Sequence, residues 1–468
     1  MAQFFKAKKA KRRSTPSLKA LTITIDALTL QGQGLCKSHV PIIIVDGALP
    51  GETVKVTITQ QKKKVWFAKV LQVLESHPQR IAAPCAFALD HTTKQTPICG
   101  GCQLQYVAPE ALLTLKETAI SDYATHVLPV TELPWIKPVL SLDAYRRKAR
   151  LAIDARDANN IKVGFRQAHS NNVLAIDHCQ VLDPRLQAVL SYIQTHCQQW
   201  GWLSNVGHMT LFAADNETVL ALNAQRHLNG EALSALLALE TDLAVRVAVH
   251  QQGLVDAPKQ GPKWYFLPAS GQTDTNQLSV PDLWLSSIDD CRYPVDLDDF
   301  VQVNKSLNEQ MVSAAVSALE LVETDRVLDL FCGAGNFTLP IARRAEYALG
   351  VEGVPTMVQQ AQRGAQMCSM DNVEFIHADL TTAAALDKIK AAKINKLLLD
   401  PSREGASAVL ECLQYNDLEK IVYVSCNPQT WVHDCALIMA NGFKLTQVQS
   451  FDMFKGTTHT ELLSVFIR

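Results

Sequence analysis

Two groups of residues in this chain have types and spacings that can do chemistry. The first lies in the C-terminal third. Asp329-Leu330-Phe331-Cys332-Gly333-Ala334-Gly335-Asn336-Phe337 follows an apolar run and opens a helix-like stretch. Two glycines in a tight turn let the backbone approach a ligand closely. Thr338 stands where a dinucleotide fingerprint would have its third glycine, which weakens a nicotinamide reading. Glu352 ends the next strand-like run, ALGVE, seventeen residues after Gly335. An acidic residue there can accept both ribose hydroxyls of an adenosine. The combination fits S-adenosylmethionine, which carries ribose and adenine but no phosphate. Further on, IVYVSCNP puts Cys426 where an apolar strand stops and Asn-Pro turns the chain. A thiolate there faces the ligand edge of a sheet and can act as a nucleophile. Asp400-Pro401-Ser402-Arg403 closes the preceding run, KLLLD, and His459-Thr460-Glu461 precedes the last strand. The carboxylate of Glu461 can reach back over the pocket as a base.

The second group is a set of cysteines. Cys85, Cys99 and Cys102 form C-x13-C-G-G-C, and Cys179 follows in Asp177-His178-Cys179-Gln180. Twelve cysteines in 468 residues are too dilute for a disulfide scaffold. A reducing cytoplasm is the expected setting, where clustered cysteines suggest metal or catalysis. Spacing alone leaves a four-cysteine zinc site and an iron–sulfur cluster both open. Cys36, Cys197, Cys291, Cys332, Cys368, Cys412 and Cys435 read as structural.

Several elements must position these residues. A chain of 468 residues exceeds what one core supports, so more than one domain is expected. The composition is 47% hydrophobic and 19% charged, which excludes disorder, and no apolar run is long enough for a membrane span. No apolar segment follows the basic N-terminus, so no secretory signal is expected. Residues 1–150 hold 21 Lys and Arg against 10 Asp and Glu, a net of +11. The chain as a whole carries −2, so the remainder carries −13. This asymmetry suggests an anionic partner at the first third, nucleic acid above all. Residues 1–17 read as a basic, disordered arm. Residues 18–75 read as short strands punctuated by Gly and Pro, which suggests a small β-barrel. Lys62, Lys63 and Lys64 stand on one of its loops, followed by Trp66 and Phe67. Residues 76–299 read as an α+β domain that carries the clustered cysteines. Residues 300–468 alternate strands and helices, the pattern of a doubly wound, mainly parallel sheet whose ligands sit at the C-terminal strand ends.

Taken together, DLFCGAGNFTLPIA, VEGV, DPSREGA, SCNPQTW and THTELL resemble the RNA uracil-C5 methyltransferases, and the wider context resembles the branch acting on 23S ribosomal RNA. The resemblance covers nearly the whole chain. It implies a multidomain α/β protein with an OB-like TRAM barrel, whose core is GQG…PGE. It further implies a central α+β domain with an iron–sulfur segment and a C-terminal Rossmann-like class I methyltransferase domain. It implies methylation of a specific 23S rRNA uridine at C5, with Cys426 adding to uracil C6 and Glu461 removing the C5 proton. Cofactor contacts carry over to Gln302, Phe331, Asn336, Glu352, Asp379 and Asp400. A [4Fe–4S] cluster carries over to Cys85, Cys99, Cys102 and Cys179. The family pattern is C-x5-C-G-G-C, so this chain has eight extra residues after Cys85, among them the polar HTTKQTP. A monomer with 23S rRNA as partner and no membrane association is expected. The same chemistry on another ribosomal uridine or on transfer RNA, and a catalytically silent RNA-binding protein, are the alternatives.

Overall fold

The computed structural model describes residues 20–89, 97–254, 262–268, 278–379 and 382–468. The expected basic arm and the HTTKQT stretch lie outside the described residues. One compact unit takes in the described residues up to Arg80, and a second takes in those from Ile81 onward.

The first unit is a six-stranded sheet whose edge strands are Leu21–Thr24 and Ala27–Leu28. These edges are chain neighbours, so the sheet curls on itself as a barrel. Val54, Val56 and Ile58 alternate inward along the strand Thr53–Gln61 and join Ile43, Val45, Ala68 and Val70 in the core. The Pro-Gly-Glu turn has a physical reason. Gly51 adopts φ +81°, a conformation glycine takes without strain. Glu52 is fully buried and pairs with Arg80 at 2.6 Å. Burial alone would push Glu52 up, but Arg80 and the Leu49 and His77 amides hold it below the usual carboxylate range. The three lysines are exposed between two strands, and Lys62 Nζ lies 5.1 Å from the Phe67 ring centroid.

The second unit holds two sheets of seven strands. In the first, Thr218–Ala224 and Arg246–His250 run parallel, joined by the helix Gly230–Leu243, and the other pairings are antiparallel. That helix and Pro184–His196 bury apolar residues on one face of it. The second sheet comprises β1 (Arg326–Leu330), β2 (Tyr347–Glu352), β3 (Val373–His377), β4 (Lys396–Leu399), β5 (Lys420–Ser425), β6 (Lys444–Phe451) and β7 (Glu461–Ile467), in the order β3-β2-β1-β4-β5-β7-β6. β1 to β5 are parallel, and β7 runs antiparallel between β5 and β6. The strand order reverses between β1 and β4. Crevices at such reversals, beyond the strand C-termini, are where ligands bind. The hairpin Leu283–Ser286 and Arg292–Val295 packs into the same apolar cluster as the helix Pro355–Met367, close to that crevice.

Candidate active site

The turn after β1 is built by backbone strain. Phe331, Gly333 and Gly335 have φ of +64°, +55° and +92°. A left-handed phenylalanine costs roughly 1–2 kcal/mol, held here by N–H bonds from Phe331 and Cys332 to the Val351 carbonyl. Thr338 explains the missing third glycine. It is fully buried, and its hydroxyl donates to Asp329 Oδ2 at 2.5 Å beneath the turn. Burial raises Asp329 to about 8.

Above the turn opens a cavity of about 980 Å³. Cys426, Glu461, Gln302, Phe331, Asn336, Glu352, Asp379 and Asp400 all line it. Glu352 closes β2, and its carboxylate accepts the Gly333 and Val354 N–H groups at 3.1 and 2.9 Å. Each oxygen keeps a lone pair for a ligand hydroxyl. Asn336 is fixed by a double amide contact with Asn308, at 2.9 and 3.0 Å, and by the Tyr293 hydroxyl at 3.3 Å. Gln302 lines the cavity, and its Oε1 is buried without a hydrogen-bond partner.

At the other end of the cavity, Cys426 follows β5 and sits just before Asn427, the N-cap of the helix Pro428–Ala440. Burial, then the charges of Glu461 and Asp400, push its thiol up to about 12, against the pull of Arg403. Glu461, at the start of β7, is 4% exposed. Burial and Asp400 raise it to about 8, and Arg403 opposes them. Burial raises Asp400 to about 7. Arg403 is held by its own backbone. Its carbonyl accepts Asn427 Nδ2 at 2.8 Å, and the loop is anchored further on by Asp434, which accepts the Ala406 N–H at 2.8 Å and the Tyr423 hydroxyl at 2.5 Å. The cavity therefore gathers a thiol, a proton-holding carboxyl and a guanidinium group along one wall.

Sequence reasoning missed Asn308 and Tyr293, which pin Asn336, and His377, which lines the cavity. No local signal marks them, because each belongs to another element. Cys412, expected among the structural cysteines, is exposed at the end of the helix Ser407–Cys412, whereas Cys36, Cys197, Cys291, Cys332, Cys368 and Cys435 are buried.

The clustered cysteines fold into one neighbourhood. Gln180 Nε2, next to Cys179, donates to the carbonyl of Pro84, next to Cys85, at 2.8 Å. The Cys99 N–H donates to the Phe87 carbonyl at 2.8 Å, and Gly101 N–H to Cys99 Sγ at 3.4 Å. Burial raises the thiols of Cys99, Cys102 and Cys179, and the charges of neighbouring cysteines in this set add to it. Among the described residues, no group of three or more His, Cys, Asp or Glu is arranged to hold a metal ion as it stands. No helix among them is long and apolar enough to cross a membrane.

Strand order, the glycine turn and the carboxylate closing β2 define a Rossmann-like methyltransferase fold. Residues 282–468 match the family model described as tRNA (Uracil-5-)-methyltransferase, and residues 19–71 match the TRAM domain. The chain belongs to the RlmD family of 23S rRNA (uracil-C5)-methyltransferases. It is 34% identical over 471 residues to the 23S rRNA (uracil(1939)-C(5))-methyltransferase RlmD of Vibrio cholerae serotype O1 (strain M66-2), covering 100% of both chains. It is also 34% identical over 453 residues to the protein of that name from Histophilus somni (strain 129Pt), covering 96% of each. Among solved structures, the fold is similar to that of Pyrococcus abyssi tRNA (uracil-54, C5)-methyltransferase in complex with S-adenosyl-L-homocysteine. The TM-score is 0.67 at 20% identity, covering 96% of this chain and 100% of that one.

Proposed function

We propose that this protein methylates C5 of one uridine in 23S ribosomal RNA, the position that its relatives' names number 1939. The observation that carries the reading is the convergence of Cys426, Glu461 and the glycine turn on one cavity, in a chain matching RlmD proteins along its length. Glu352, Asn336, Gln302, Phe331, Asp379 and Asp400 would hold S-adenosylmethionine, which would supply an electrophilic methyl group for C5. The protein's own residues make C5 able to accept it. The Cys426 thiol gives up its proton to solvent, its sulfur bonds to uracil C6, and the C5–C6 π electrons become available at C5. After methylation, Glu461 takes the C5 proton, the electrons of that C–H bond restore the double bond, and the C6–S bond breaks. Once ionised, a carboxylate with this raised affinity for protons is the stronger base for that step. The uridine must be flipped out of the RNA to enter.

Cys85, Cys99, Cys102 and Cys179 belong to the same proposal as ligands of a [4Fe–4S] cluster, outside the methyl-transfer cavity. The contact between Gln180 and Pro84 supports it, because it ties together the loops of two of the four. A cluster would staple those loops and take no part in the transfer. Four cysteine ligands could hold either such a cluster or a single zinc ion. Iron and sulfide analysis after anaerobic purification separates the two readings. The proposal keeps a cytoplasmic monomer and the domain division 18–75, 76–299 and 300–468. The experiment that tests the function is incubation of unmodified 23S rRNA with methyl-labelled S-adenosylmethionine, followed by nucleoside analysis. The label is expected in 5-methyluridine at one position. Label in any other nucleoside, or none, overturns the proposal.

A further inference from the structure

The loop ahead of Glu461, residues 452–460, contains no helix or strand. What holds it comes from outside the methyltransferase sheet. Lys116, on the helix Pro109–Ala124, is 5% exposed, and its Nζ donates to the His459 carbonyl at 2.7 Å. The adjacent Glu117 accepts the Ser450 hydroxyl at 2.5 Å. Just upstream of the helix, the Leu104 N–H donates to the Gly456 carbonyl at 2.8 Å. The loop is thus gripped before, within and near its end.

A buried lysine is costly, and a position that only needed filling would take an apolar side chain. The helix buries Leu112, Leu113, Ala119 and Ile120 around Lys116, so an apolar residue would suit the surroundings. The ammonium group is therefore kept for what it binds. Besides the His459 carbonyl, it feels the charge of Asp452 at the start of the loop. One buried cation thus links both ends of the segment that delivers Glu461.

We infer that Lys116 is a positioning residue for methyl transfer, holding the His459 backbone so that the Glu461 carboxyl, two residues on, stands correctly in the cavity. This rests on the reading of Glu461 as the base. Lys116 does not line the cavity, so its loss should act on turnover and leave ligand affinity alone. A misplacement of about 1 Å can cost on the order of 100-fold in rate.

The test uses the full chain with Lys116→Met, which keeps side-chain bulk and removes the donor. The turnover number is expected to fall about 10- to 100-fold. S-adenosylhomocysteine affinity and the KM for RNA should stay within about twofold, since the cavity residues are untouched. Covalent RNA–protein adduct should accumulate as it does in Glu461→Gln, because both delay proton removal. Lys116→Arg, which keeps charge and donors, should recover most of the turnover. If Lys116→Met does not fold, Lys116→Leu, which also lacks a donor, replaces it with the same readouts. Unchanged turnover in the folded variant overturns the inference. So does a parallel loss of turnover and cofactor affinity, the mark of a purely structural role. If Glu461→Gln traps no adduct, the base assignment falls and the inference with it. If Glu461→Gln traps adduct and Lys116→Met does not, only the role of Lys116 is overturned.

Discussion

Glu461→Gln should stabilise the protein while stopping its turnover, and the gain should grow with pH. In the folded protein Glu461 holds its proton up to about 8, whereas its ordinary value is 4.5. Between these values the folded state binds a proton that the unfolded chain has lost, so stability falls as pH rises through the window. Each unit corresponds to about 1.36 kcal/mol, and from pH 5.5 to 7.5 the loss accumulates to roughly 2.5 kcal/mol. Gln cannot ionise, so the variant escapes this loss. Asp329 and Asp400 titrate in both proteins and largely cancel from the comparison. At about 2.1 cal/mol/K per residue over the unit Ile81–Arg468, the melting-temperature gap between variant and wild type should widen by about 2–3 °C over that range. Tryptophan fluorescence is a suitable probe. Trp431 is fully buried, and its indole N–H donates to Ser464 Oγ, on the same strand as Glu461, at 3.0 Å. A gap that stays constant or narrows from pH 5.5 to 7.5 would refute the burial of a protonated carboxyl at this position.

Three further outcomes follow from the same geometry. With its thiol pushed up to about 12, Cys426 should react with iodoacetamide at pH 8 roughly 40- to 100-fold more slowly than a free thiol of pKa about 8.5, the scarcity of thiolate being partly offset by its greater nucleophilicity. Mass spectrometry of its peptide reads the rate, and free-thiol behaviour would contradict the assigned environment. Asn308→Ala removes the amide that pins Asn336 and should weaken S-adenosylhomocysteine binding about 5- to 10-fold by calorimetry, the worth of one net hydrogen bond; unchanged affinity would rule out Asn336 as an oriented contact. Gly405→Ala puts a Cβ at φ +80°, 2.7 Å from Asp434 Oδ2. It should cost roughly 2–3 kcal/mol in urea unfolding, from the left-handed backbone and a strained buried acceptor, and a neutral result would show that the Arg403 loop yields freely.

The methyltransferase strands were legible because they are buried on both faces and read as apolar runs, such as VLDL, KLLL and IVYV. The candidate site was legible for a topological reason. Its residues fall at the ends of those strands, and the strand order brings the ends around one crevice. β6 escaped notice because it is an edge strand whose polar residues are half-buried. Gly34–Cys36 and Ala27–Leu28 in the barrel are too short to carry a period. Tyr293, Asn308 and Lys116 could not be read at all. Their partners lie 43, 28 and 343 residues away, and no local pattern encodes such a meeting.

The most direct test of the covalent route is a denaturing gel of the protein incubated with 23S rRNA fragments and S-adenosylmethionine. Glu461→Gln is expected to run as an RNA-linked species that disappears when Cys426→Ala is added to the same chain. An adduct that survives the loss of Cys426, or methylation of the RNA by Cys426→Ala alone, would contradict bond formation between this sulfur and uracil C6.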